Sequence, residues 1–116
     1  MSKQANGIFP LTIASCAAAT TANRFVTATG AVPAADANVL GVVRQTSLIN
    51  TAVTVDVLGT AIVEAGAAIT AGSTLKVDAT GKAITWATSG AKVGLALQAA
   101  SASGDLIEVL LVQNVA

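Results

Sequence analysis

Turn signals interrupt this sequence so often that no segment between them is long enough for an ordinary helix. The clearest segment, residues 51–58, has three valines alternating with polar residues. A period of two places side chains alternately on a buried and a solvated strand face. Short strands with turn signals about every 8–12 residues predict an all-β protein, a small antiparallel β-sandwich or barrel with little or no helix. Asp56, and Glu108 in a later strand, fall on the polar phase and are predicted to be structural rather than catalytic.

Two segments in the second half of the chain predict a particular element, one a buried strand and the other a tight hairpin. Residues 106–112 are almost continuously apolar, which indicates a central buried strand. The sequence Asp78–Lys82 is typical of a tight hairpin. Asp78 suits the turn because its carboxylate accepts hydrogen bonds from nearby amides, and Gly81 is free to adopt positive φ.

The first thirteen residues are predicted to form an extended N-terminal arm, followed by a single β domain over residues 14–116. The apolar residues at the end of the arm alternate, and a proline in this pattern suits only a strand edge. Such an arm can add a strand to the sheet of a partner, or it can be an edge strand of its own domain. The residues predicted to contact a partner are Phe9, Pro10, Leu11 and Ile13.

Composition argues against several classes of function. The 116 residues contain no histidine and one cysteine, which argues against His-based acid–base chemistry, a His/Cys zinc site and an intrachain disulfide. The formal net charge is zero, so there is no basic excess to neutralise nucleic-acid phosphates. The carboxylates form no spaced acidic motif, and no base or nucleophile accompanies them. We therefore expect no catalytic residue, no metal and no cofactor.

The balance of apolar and charged residues predicts partners. Hydrophobic residues make up 53% of the chain and charged residues only 10%, so little charge is available to cover the surface. We expect part of that surface to be buried in an oligomer or on a target. No apolar run is long enough for a membrane span, and we expect no signal peptide. One alternative, a subunit of a bacterial surface assembly, would be anchored through Cys16.

A second alternative comes from the spacing of glycines and apolar residues before Lys82. This spacing resembles lipoyl and biotinyl carrier domains, in which a lysine at an exposed hairpin tip receives the cofactor. The glycines also have a plain structural explanation, since they build a tight β corner. The residues in this spacing are Val63, Gly66, Ile69, Gly72, Leu75 and Lys82.

Four sequence blocks in a fixed order resemble another family. They are VLGTAIVEAGAAITAG (57–72), LKVDATGKAI (75–84), VGLALQAA (93–100) and GDLIEVLLV (104–112). Together they resemble tailed-phage capsid decoration proteins, also called cement proteins, over about half of the chain.

The resemblance implies a structural virion protein made in the host cytoplasm. It would bind the outer surface of an assembled capsid through the major capsid protein, associate with itself as a dimer or trimer, and stabilise the head. It implies no catalysis, no nucleic-acid partner and no membrane partner.

Overall fold

The computed structural model describes residues 10–111, and these contain nine β-strands and no helix. The strands are β1 (Pro10–Ile13), β2 (Arg24–Val26), β3 (Gly41–Val43), β4 (Val53–Asp56), β5 (Thr60–Glu64), β6 (Thr74–Val77), β7 (Ala83–Thr85), β8 (Gly94–Ala96) and β9 (Leu106–Leu111). The prediction of an all-β protein built from many short strands is confirmed.

The strands form two antiparallel sheets. The first has four strands in the order β1-β4-β3-β2, and the second has five in the order β5-β9-β8-β6-β7. Strand β9 pairs with β5 on one side and β8 on the other, so the apolar segment at the end of the chain is an interior strand. Backbone hydrogen bonds join the sheets: the amide of Glu64 donates to the carbonyl of Asn23, and that of Phe25 donates to the carbonyl of Gly81, at 2.8 Å each.

The main core lies between the two sheets. Phe25 and Val42 reach it from the four-stranded sheet, and Val63, Leu75 and Val109 reach it from the five-stranded sheet. All five are almost fully buried. Burying a side chain of this size stabilises a fold by about 1.5–3 kcal/mol. The side chains on the opposite face of the five-stranded sheet point away from this core.

The four-stranded sheet is buried on both faces. Its second face carries a smaller apolar cluster, which is separate from the main core. Loop residue Cys16 completes this cluster, and Ile13 and Leu40 pack against its margin. The members of this cluster, which we call the Cys16 cluster, are Cys16, Val26, Val43, Val53 and Val55.

Burial corrects the prediction for two carboxylates. Asp56 and Glu108 were placed on solvated strand faces, yet both residues are buried in the structure. Asp56 is on the side of its sheet that faces the five-stranded sheet, because its neighbour Val55 belongs to the Cys16 cluster. The prediction of a central buried strand is correct for the position of β9 in the sheet but not for its full burial, since Leu106 and Leu110 are exposed. A period of two assigns a side chain to a face but does not say what covers that face.

Candidate functional site

The first candidate surface is strand β1 at the edge of the four-stranded sheet. Leu11 is opposite Val55 and Ile13 is opposite Val53, so these two predicted contact residues share one face. Ile13 packs against the Cys16 cluster, whereas Leu11 is more than one-third exposed. Within residues 10–111, no strand pairs with the outer side of β1. The structure therefore shows the intramolecular edge strand, with one edge open.

The other two predicted contact residues lie at or before the start of β1. Pro10 is the first residue of β1, opposite Asp56, and a proline is tolerated there because an edge strand does not need its amide. Phe9 lies outside the described residues. The role of these residues in binding a partner stays a prediction.

The loop between β3 and β4 presents an apolar tip that the sequence analysis did not single out. Leu48 is 76% exposed and Ile49 is 54% exposed. Hydrogen bonds hold the loop on both sides of them: Thr20 and Ser47 exchange two backbone bonds, and the amide of Asn50 donates to the carbonyl of Cys16. We call residues 47–51 the apolar tip. Two adjacent large apolar residues inside a polar turn were the sequence signal for it.

Cys16 is fully buried beneath this tip. Its thiol donates to the carbonyl of Leu48 at 3.3 Å, and its amide donates to the carbonyl of Thr51 at 3.0 Å. The thiol is thus a packing and hydrogen-bonding group of the Cys16 cluster. This position gives no support to an anchor through Cys16.

The Asp78–Lys82 hairpin packs against the rest of the domain. One carboxylate oxygen of Asp78 accepts hydrogen bonds from the amides of Thr80 and Lys82. Gly81 has φ of +86° and is buried against β2. A Cβ atom on Gly66 would be 2.5 Å from the Asp78 carboxylate, so this glycine allows a close approach.

Lys82 is not a free lysine at the hairpin tip. Its Nζ is 3.5 Å from Oε2 of Glu64, whose Oε1 accepts a hydrogen bond from Nε of Arg24 at 3.0 Å. The hydrogen bond from Arg24 holds the pKa of the Glu64 carboxyl below its usual range, against the opposing effect of burial, and Lys82 adds to the lowering. The exposed residues of the hairpin are Ala79 and Thr80. A carrier lysine has to be accessible, so the arrangement disfavours the carrier alternative.

The ion pair with the most buried carboxylate lies in a cleft between the sheets. Arg44 donates from Nε and Nη2 to the carboxylate of Asp56, with a shortest distance of 2.6 Å. This contact raises the pKa of the Arg44 guanidinium, which is half-exposed. Asn23, Ala61 and Ile62 also line the cleft. The guanidinium neutralises the carboxylate.

A second apolar surface lies on the outer side of the five-stranded sheet. Ile107, Val109 and Leu111 of β9 point into the main core, so Leu106, Glu108 and Leu110 point outward. Glu108 is only 4% exposed, and its Oε1 has no hydrogen-bond partner. The alternating pattern on β9 was visible in the sequence, but the burial of its carboxylate was not.

Among residues 10–111, no group of three or more Cys, Asp and Glu side chains is arranged to hold a metal ion. Nor does this part of the chain have a helix of the length and apolarity that crossing a membrane requires. The apolar surfaces of this part of the chain are the open edge of β1, the apolar tip and the outer side of the five-stranded sheet.

Comparisons with known proteins agree with a structural role. The chain matches a family model described as phage cement protein over residues 4–111. Its fold is similar to the crystal structure of the head fiber gp8.5 N base of bacteriophage phi29, with a TM-score of 0.72 and 20% sequence identity. That match covers 91% of this chain and 95% of the phi29 chain, and at this identity it shows the fold alone. No curated protein matches the chain. The predicted resemblance is confirmed: the chain belongs to the phage cement protein family, whose members are structural, capsid-binding proteins of the virion.

Proposed function

We propose that this protein binds the outer face of an assembled phage head, contacts the major capsid protein there and stabilises the assembled shell. It would be made in the host cytoplasm and carried on the exterior of the virion. The observation that carries the proposal is the family match over residues 4–111. Two apolar features, the open edge of β1 and the apolar tip, supply a means of attachment.

The open edge of β1 is suited to strand addition. The outward-facing backbone groups of an edge strand can pair with an extended segment of another chain, and adjacent side chains give specificity. Pro10 provides no amide, so pairing would be limited to the rest of the strand. Exposed Leu11 would then pack beside the added segment.

The apolar tip is suited to insertion into a pocket on the capsid. Leu48 and Ile49 project from a loop whose two sides are fixed by hydrogen bonds to residues 16 and 20. A preorganised loop loses little conformational entropy on binding, so more of the gain from burying its side chains remains as affinity. The tip and β1 are also directly connected, since Ile13 pairs with Val53 just after the tip.

Stabilisation of the head follows from mass action. A protein that binds the assembled lattice but not separated subunits stabilises the lattice by RT ln(1 + [L]/Kd) per site. At a free concentration of 100 times Kd this amounts to about 2.7 kcal/mol per site. Many occupied sites on one shell would add to a large resistance against disassembly.

We also propose that the protein associates with itself as a dimer or trimer, in solution or on the head. Its charged fraction of 10% leaves much apolar surface to cover. A specific interface requires about 1,000 Å² of buried surface in total. Sedimentation of the free protein, together with imaging of decorated heads, tests this part. A monomer in solution that makes no contact with its copies on the head would contradict it.

The central experiment uses heads that lack this protein. Purified protein is titrated onto them, bound protein is measured by co-sedimentation, and the decorated heads are imaged. We expect saturable binding and a higher temperature of head disruption. The double variant Leu48→Ser and Ile49→Ser should bind at least tenfold more weakly, whereas Val32→Ser, which removes an exposed apolar residue elsewhere, should bind normally. Failure of the unaltered protein to bind the heads would refute the proposal.

A further inference from the structure

The outer side of β9 and its neighbours forms an apolar surface around one carboxylate. Cross-strand pairing sets Ile62 beside Glu108 and Leu95 beside Leu110, so these side chains share the outward face. Leu106 is 41% exposed and Leu110 is 39% exposed, on either side of Glu108 along the strand. We call this surface of Ile62, Leu95, Leu106, Glu108 and Leu110 the Glu108 face.

Glu108 is poorly satisfied within its own chain. The residue is 96% buried, its Oε1 has no hydrogen-bond partner, and none of the four ion pairs in residues 10–111 includes it. Its backbone amide is satisfied, because it donates to the side-chain carbonyl of Gln98 at 3.0 Å. An unpaired buried oxygen destabilises a fold, and an apolar residue of similar size would avoid that cost. A partner whose cation draws the carboxylate out of this closed position would turn the cost into specific affinity.

The charges of the chain indicate what kind of partner this is. Within residues 10–111, four of the five basic side chains already form ion pairs with carboxylates of the same chain. The fifth, Lys92, is 4.6 Å from the centre of the Trp86 ring. A second copy would have to break one of these contacts to offer a cation from the described region. A different protein can offer a cation without breaking any contact of this chain.

We propose that the Glu108 face docks on a head protein that presents a lysine or arginine within an apolar patch. This inference rests on the proposed function and adds the chemistry of the partner; because the Glu108 face belongs to the five-stranded sheet and the apolar tip to the four-stranded sheet, the two contact different parts of the head. Oε1 of Glu108 is closed to solvent in the free protein, so the carboxylate turns outward between Leu106 and Leu110 to meet the cation, and the patch covers the two leucines. A charged donor is favoured over a neutral one because charge-assisted hydrogen bonds are about twice as strong. Burial of the surrounding leucines excludes water from the pair and strengthens it further.

The test separates binding from stability with Glu108→Gln. This variant keeps the size of the side chain but removes its charge, so the free protein should melt at or above the temperature of the unaltered protein. Its affinity for heads should nevertheless fall at least about 30-fold, as truncation of one member of a buried charge pair typically does. A residue with only a structural role would not give higher stability together with weaker binding.

Two surface variants provide the matched comparison. The double variant Leu106→Ser and Leu110→Ser should fold normally and bind heads at least tenfold more weakly. The control is Val32→Ser, at an exposed valine outside this face, and it should bind like the unaltered protein. Circular dichroism and melting curves for each variant establish that the proteins are folded before binding is compared.

Each other outcome has a definite meaning. If the unaltered protein binds heads and the Glu108 and leucine variants bind within twofold of it, the inference is wrong while the proposed function stands. If the unaltered protein does not bind, the proposed function fails and this inference with it. If Glu108→Gln abolishes self-association in sedimentation experiments but leaves head binding per protomer unchanged, the occupant is a second copy and the proposal is overturned.

Discussion

Replacing Gly81 with alanine tests the hairpin that joins the two sheets. Gly81 has φ of +86°, and its carbonyl accepts the amide of Phe25 at 2.8 Å. A Cβ atom at this position would be only 2.8 Å from the carbonyl oxygen of Phe25. The substitution therefore imposes two separate costs, one from the backbone conformation and one from the approach to β2.

The two costs have different magnitudes. A residue with a Cβ atom in the left-handed region costs about 1–2 kcal/mol. Moving the hairpin away from Phe25 weakens a backbone hydrogen bond worth about 0.5–1.5 kcal/mol net and disturbs packing beside it. We expect Gly81→Ala to lower the free energy of unfolding by about 2–4 kcal/mol. Gly81→Val should lower it more, because a β-branched side chain suits this region least.

Gly72 supplies a matched control for the backbone term. Its φ of +89° is nearly the same, but a Cβ atom there would have no neighbour within 4 Å. Gly72→Ala should therefore cost only about 1–2 kcal/mol. The difference between the two alanine variants isolates the contact between the hairpin and β2.

Urea denaturation measures these changes, with the fluorescence of Trp86, the sole tryptophan, and circular dichroism as two probes. At a slope of about 2 kcal/mol per molar urea, a loss of 2–4 kcal/mol lowers the midpoint by about 1–2 M. Equal midpoints for Gly81→Ala and Gly72→Ala would refute the reasoning, since they would show that the close approach to Phe25 has no energetic consequence.

Three further predictions concern charged side chains. Lys82→Ala should reduce the free energy of unfolding by no more than about 1 kcal/mol and leave head binding intact. Loss of head binding in this variant, or a cofactor adduct on Lys82 in the intact mass of the unaltered protein, would restore the carrier alternative. Because the folded-state pKa of Glu64 is depressed, its contribution to stability is present above the ordinary carboxyl pKa of about 4.3 and is lost as the pH falls through the lower folded-state value. Urea midpoints at pH 7 and pH 3 should therefore differ more for the unaltered protein than for Glu64→Gln, and equal differences would contradict this. Arg44→Met should destabilise the fold by about 1–3 kcal/mol, which is less than for a fully buried pair because the guanidinium is half-exposed. Adding Asp56→Leu should recover part of this loss in thermal melts, because it removes the unpaired buried carboxylate. A further loss of stability in the double variant would count against the pairing.

The strands could be predicted from the sequence because their signals are local. The alternation over residues 51–58 corresponds to β4, the apolar segment 106–112 corresponds to β9, and each strand begins just after a turn. Alternation assigns side chains to faces without any knowledge of the partner strand. Turn residues report their own backbone conformation, as the positive φ of Gly81 illustrates.

The environment of the charged residues could not be predicted, because it depends on contacts distant in sequence. Asp56 is buried because Arg44, twelve residues earlier, reaches across from the end of β3. Lys82 is held by Glu64, which belongs to a strand that the hairpin meets only in the folded chain. Strand pairing brings these groups together, and a single sequence contains no direct record of pairing.

Because the four-stranded sheet is buried on both faces, the domain has two apolar clusters. The two clusters differ in the free energy that is needed to open them. The Cys16 cluster has five buried members and is closed largely by loops, whereas the main core is larger and lies between two sheets. Proteins open locally in cooperative units, and the units with fewer apolar contacts open at lower free energy. The loops around residues 16–20 and 47–51 can therefore unfold transiently while β5 and β9 stay protected from hydrogen exchange. Each such opening exposes the single thiol of the chain, so the rate at which a thiol reagent labels Cys16 reports the free energy of opening this unit.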